Sequence, residues 1–161
     1  MAQITIYIGK IPIMLMIFGK RSSGDLGRRG NEALMRRDFI SAGIWYEKAF
    51  RSASSPPELD IDSAARFAAA GRNAYELAAD CGQVREGRMA RSITFSWQYD
   101  AAWYIPPASL ETLQLGEGIY LLNKALGLAR EIGDAESTIR LTAKLDGADA
   151  MMRMFIEMRR T

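Results

Sequence analysis

The chain has 161 residues, 48% of them apolar, and a formal net charge of +2. That length fits one domain with a real hydrophobic core and excludes disorder. So small a charge excludes whole-molecule nucleic-acid binding, which needs a concentrated basic face, and any basic patch must be local.

Residues 1–19, MAQITIYIGKIPIMLMIFG, differ in character from the rest. Ile4, Ile6 and Ile8 alternate with Thr5 and Tyr7 at strand period, Gly9-Lys10 can turn the chain, and IPIMLMIF is a second apolar run, so a small hairpin is one reading. Lys10 interrupts the apolar stretch and leaves too few residues for a membrane helix of about 20. Ile11–Phe18 is followed by GKRSSG, which lacks the small-residue cleavage site of a signal peptide. Residues 1–22 are therefore expected to be an apolar extension outside a helical domain at 23–161. Membrane or envelope association through Ile4–Phe18 is the alternative.

Asp25–Phe50 predicts two short helices folded against each other, with Asp25 capping the first and the turn at RRD. Leu26, Gly30 and Ala33 fall at helical spacing, and a glycine inside a helix needs a packing reason, which a second helix lying close over Gly30 would supply. That second helix alternates large and small residues at Phe39, Ala42, Tyr46 and Ala49, the pattern by which two helices interlock at short distance. Arg28, Glu32 and Arg36 are spaced as an i, i+4 ladder on the exposed side. Pro56 and Pro57 end the hairpin.

Ser63 is the expected cap of a third helix, AARFAAAGRNAYELAAD, closed by Gly82. Its Phe67, Ala70, Gly71 and Ala74 repeat the spacing of Leu26, Arg29, Gly30 and Ala33. Its expected partner, Val84–Tyr104, carries Met89, Ile93, Phe95, Trp97, Trp103 and Tyr104. Pro106-Pro107 breaks the chain again before a long helix from Ser109 to about Ile132, with core spacing at Leu122, Ala125, Leu126 and Ala129. Gly133-Asp134 turns into a last helix through Ile139, Leu145, Met151, Met152, Phe155 and Ile156.

The wording GNEAL, then DF, then YEKAF resembles a tetratricopeptide repeat, a helix–turn–helix unit of about 34 residues. The likeness covers the first hairpin. It departs from the family at Arg37, where a turn glycine is usual, and at Ser54–Ser55, where a proline is usual. The resemblance implies an all-α fold, a TPR-like stack of about three antiparallel helical hairpins (alpha-solenoid). The turns at Arg37, Gly82 and Gly133 are spaced more widely than the repeat norm of about 34 residues, and in that respect the architecture is similar to the helical-hairpin sheets of vesicle-fusion attachment proteins.

Chemistry is constrained by absences. No histidine is present, which removes Ser-His-Asp and Cys-His catalysis and the commonest metal ligand. One cysteine, Cys81, precludes an internal disulfide and any need for an oxidising compartment, so a cytoplasmic home is expected. The phosphate-loop, dinucleotide and Cys-x-x-Cys motifs are missing. No catalytic residues, no metal site and no cofactor are therefore expected.

What remains is a non-catalytic scaffold, chaperone or adaptor that binds another protein, as a peptide or helix, in a concave groove lined by the first helix of each hairpin. By that geometry the partner-binding residues are Asn31, Leu34, Met35, Arg72, Tyr75, Asn123 and Arg130, beside the small residues Gly27, Ala68 and Gly127. Chaperone-binding members of the resembled family grip a C-terminal carboxylate with a lysine four residues before the position of Asn31, and Gly27 stands there instead. Self-association through Trp45, Trp97 or Met151–Phe155 is the fallback for a chain without such a partner.

Overall fold

The computed structural model describes residues 3–8, 11–16, 22–85 and 110–158. Two strands come first, β1 (Gln3–Ile8) and β2 (Ile11–Met16), paired antiparallel from Gln3 opposite Met16 to Ile8 opposite Ile11. The alternating isoleucines thus form the hairpin that their period suggests. Every later element among the described residues is α-helix: α1 (Ser23–Met35), α2 (Phe39–Ala53), α3 (Ile61–Asp80), α4 (Leu110–Glu131) and α5 (Ala135–Met158).

Three of the helices end in the same way. Arg37, Gly82 and Gly133 take left-handed φ values of 58°, 62° and 70°. The next residue's N–H then reaches back to a carbonyl five residues earlier: Asp38 to Ala33 at 3.0 Å, Gln83 to Ala78 and Asp134 to Ala129, both at 2.9 Å. This satisfies carbonyls that a helix end otherwise leaves open. Glycine adopts that conformation freely, whereas at Arg37 the side chain opposes it. Arg37→Gly is expected to stabilise the fold by about 0.5–1 kcal/mol, because relief of the left-handed cost exceeds glycine's larger unfolded-state entropy. The shift in urea midpoint measures it, and an unchanged midpoint would mean that the arginine side chain offsets its own backbone cost.

Helix starts correct two sequence expectations. Ser22, not Asp25, caps α1 and accepts from the Asp25 N–H at 3.2 Å; Asp60, not Ser63, caps α3 and accepts from the Ser63 N–H at 3.0 Å. An Asp-x-x-Ser phrase recurs at Asp38–Ser41, Asp60–Ser63 and Asp134–Ser137, and each aspartate accepts from the serine N–H. The carboxylate stands where the helix dipole is positive. Two of these starts are also tied from a distance. Glu58 accepts from Ser23 N–H, and the Gln83 amide oxygen accepts from Phe39 and Ile40 N–H at 3.0 and 3.2 Å.

Small residues let the helices approach closely. A Cβ at Gly30 would stand 2.6 Å from Tyr46 Cε1, and one at Gly43 2.6 Å from Tyr75 Cδ1. Gly27 lies under the Phe67 ring, and Gly71 faces Leu128 and Tyr46. The close second helix that Gly30 called for is α2. Around these contacts the interior is filled by Ala42, Ala49, Ala53, Ala68, Ala78, Ala125 and Ala129, with Leu121 and Leu141 as the largest apolar side chains sealed from water.

The contacts sort the helices into two layers. α1 meets α3 through Gly27 and Phe67, and α3 meets α5 through ion pairs of Glu76 with Arg140 and Lys144 and of Arg72 with Asp134, the residue just before α5. α2 meets α4 through Glu47–Lys124 and Arg51–Glu131. Consecutive helices zigzag between the layers, so α1, α3 and α5 lie on one side, α2 and α4 on the other. The partner expected for α3, Val84–Tyr104, lies outside the described residues apart from Val84 and Arg85. Among those described, α3 packs against α4, with Gly71 near Leu128 and Gly82 near Gln114, an antiparallel pairing. The ladder on α1 does not form as spaced, because Arg28 pairs with Asp25 at 3.2 Å and not with Glu32.

Candidate functional site

The exposed edge of α2 and the facing side of α4 enclose an open cleft of about 780 Å³. Its apolar wall is Leu26, Ile44, Trp45 and Tyr120, with the charged side chains Glu47, Lys48, Arg51 and Lys124 around it. Helical spacing explains why α2 supplies most of it: Ile44, Glu47, Lys48 and Arg51 share the face opposite the core positions Ala42, Tyr46 and Ala49.

The floor of the cleft is a closed polar network. The Tyr75 hydroxyl donates to Glu47 at 2.8 Å, and the Lys124 ammonium donates to both Glu47 oxygens at 3.1 Å. Burial pushes the Glu47 carboxyl up, but the bonds from Tyr75 and Lys124 and the charges of Lys124 and Arg51 outweigh it and hold it below the ordinary value of 4.5. Burial, then the bond to Glu47, pushes the Tyr75 phenol far above its usual range. Glu47 is therefore ionised and Tyr75 protonated across the neutral range, an arrangement suited to holding shape rather than moving protons. On the α4 side the Arg85 guanidinium lies 4.3 Å from the Tyr120 ring centre and pairs with the buried Glu117.

Trp45 forms a shared wall. On one side is the cleft; on the other is a basic shelf lined by Arg28, Arg29, Glu32 and Arg36, enclosing about 330 Å³. The Arg29 guanidinium lies 5.0 Å from the indole centre and the Lys48 ammonium 4.6 Å, both within cation–π range.

The groove residues expected from sequence are spread over both layers. On α1, Asn31 accepts from the Tyr46 hydroxyl at 2.6 Å, and Leu34 and Met35 are exposed, Met35 by 85%. On α3, Arg72 is tied to Asp134 and Asn73, while Tyr75 is buried as the floor of the cleft. Gly27 and Ala68 are covered by packing. Asn123, which donates to the Ile119 carbonyl at 3.0 Å, and the exposed Arg130 stand on α4 in the other layer. The layers thus separate Asn123 and Arg130 from Asn31, Leu34, Met35 and Arg72, because α4 lies beside α2 and not beside α1. Sequence reasoning passed over Ile44, Lys48 and Tyr120; the available signal was an apolar Ile-Trp pair off the core phase of α2, with a lysine one turn on.

Among the described residues no group of acidic or cysteine side chains is arranged to hold a metal, and no helix is long and apolar enough to cross a membrane. No family model, curated protein or solved structure matches the chain.

Proposed function

We propose that the chain is a non-catalytic interaction module of the tetratricopeptide-like kind, a scaffold that holds a peptide or helix of another protein. In this reading α1–α2 and α3–α4 are two hairpins and α5 is the closing helix, with the stretch 86–109 between the helices of the second pair. Gly30 and Gly71 support that register, since each receives a large side chain of the following helix, Tyr46 and Leu128 respectively. The expected first-helix groove is replaced by the cleft on the α2–α4 layer. A cytoplasmic setting belongs to the same proposal, on the ground that no disulfide is available to the fold.

One observation carries the reading. The cleft of about 780 Å³ offers apolar anchoring surface at Ile44, Trp45 and Tyr120 inside a charged rim, the composition of an interface core rather than of a solvated face. Its central carboxylate is neutralised by Lys124 and engaged by Tyr75.

Selection of displayed random peptides against the full chain tests this. An enriched peptide family is expected, with affinity lowered at least about tenfold by Ile44→Asp, equivalent to about 1.4 kcal/mol. Ile44 is 36% exposed, so the substitution should leave the helical circular dichroism unchanged. Absence of enrichment, or equal binding by the variant, overturns the assignment.

A further inference from the structure

We infer that the partner segment is acidic, with carboxylates flanking an apolar anchor: the anchor enters the cleft beside Ile44 and the carboxylates lie along the shelf beyond Trp45. This rests on the cleft being the binding site, and adds the chemistry of what binds there.

The charges around Trp45 are unevenly matched. Glu47 is matched by Lys124, Arg51 by Glu131 and Arg28 by Asp25. Arg29, Arg36 and Lys48 have no carboxylate partner among the described residues, and Glu32 is the one acid lining the shelf. Two unmatched cations, Arg29 and Lys48, therefore stand over one half-buried indole, and a third, Arg36, lines the shelf beside it, in a chain whose net charge is only +2. Carrying like charges side by side opposes folding, and an anionic partner removes that cost on binding. The pairing of an aromatic wall with arginine is also the composition enriched at recognition surfaces.

A protein anion fits better than a nucleic acid. Single strands bind by stacking bases on aromatic faces along an extended basic groove. Trp45 already carries Arg29 and Lys48 over its ring, and the shelf is one compact patch that includes the acid Glu32. The apolar cleft continuing past Trp45 gives a neighbouring leucine- or aromatic-sized side chain a place that a phosphate backbone cannot use.

The peptide selection provides the test through a separate readout, the composition of what is enriched. Peptides rich in Asp and Glu next to an apolar residue are expected, with binding that weakens as salt is raised. A chain carrying Arg29→Glu, Arg36→Glu and Lys48→Glu, with its helical content checked by circular dichroism, should lose these peptides by tenfold or more and enrich basic ones instead. Enrichment of neutral or basic peptides by the unaltered chain, or indifference of the acidic peptides to the charge reversal, overturns the inference. If Ile44→Asp still abolishes binding in that case, the cleft remains the site and only the partner's charge is wrong. Tighter binding of a short single-stranded RNA than of the selected peptides at equal ionic strength also overturns it, in favour of a nucleic acid. If no peptide is enriched at all, the cleft assignment and this inference fall together.

Discussion

Gly43→Leu is expected to be among the most damaging single substitutions in the chain, costing on the order of 3 kcal/mol, the upper end of the range for overpacked cores. A Cβ there would stand 2.6 Å from two carbons of the Tyr75 ring, before any further atoms of leucine are added. Tyr75 cannot step aside cheaply. It is 2% exposed, its ring is enclosed between α2 and α3, and its hydroxyl is bonded to Glu47. Relief requires either α2 and α3 to separate, exposing their alanine-rich contact, or the Tyr75–Glu47 bond to break. Equilibrium urea denaturation reads the loss of stability. A change within about 0.5 kcal/mol, the ordinary range for surface substitutions, would mean that the two helices do not meet at Gly43.

Gly43 also shows how far the sequence could be read. The interlocking of large and small residues was legible at Gly30 with Tyr46, because both lie in one hairpin and share a helical period. Gly43 with Tyr75, and Gly27 with Phe67, join helices whose relative rotation no spacing within either helix determines. Period was therefore recoverable and phase was not. That is why Gly27, Ala68 and Tyr75 were expected in an open groove and instead lie under neighbouring helices.

The turns were legible for a local reason. Arg37, Gly82 and Gly133 each need only their own backbone and the preceding helix turn to adopt the left-handed close. The caps were equally local, and the thrice-repeated Asp-x-x-Ser phrase was the signal that Asp60, rather than Ser63, starts α3. The order of the layers was not local. Placing α4 beside α2 depends on pairs such as Glu47 with Lys124, 77 residues apart, which nothing short of the folded chain brings together. The cleft follows from that adjacency, so its residues could not be assembled from the sequence.

Glu47 is the carboxylate at the floor of this cleft. Glu47→Leu is expected to cost about 1–3 kcal/mol near neutral pH, since it leaves the buried Tyr75 hydroxyl without its acceptor. Glu47→Gln keeps an oxygen for Tyr75 and removes only the charge, so its cost should be smaller. The unaltered chain and Glu47→Gln also differ in their response to acid. The folded-state pKa of Glu47 is depressed, so the folded state binds its proton less readily than the unfolded state does. Its stabilising contribution is complete above the ordinary carboxylate value of 4.5 and is lost as pH falls through that value and then through the lower folded value. Glu76, whose pKa burial pushes up and whose Arg140 and Lys144 partners hold below the ordinary value, adds to the same acid-side loss. Stability measured by urea from neutral pH downward should therefore fall on the acid side in the unaltered chain. The fall should be shallower in Glu47→Gln, because one of the carboxylates held below its ordinary value no longer titrates. Parallel profiles for the two chains would show that Lys124 and Tyr75 do not hold Glu47 ionised in the folded state, and the closed network beneath the cleft would have to be abandoned.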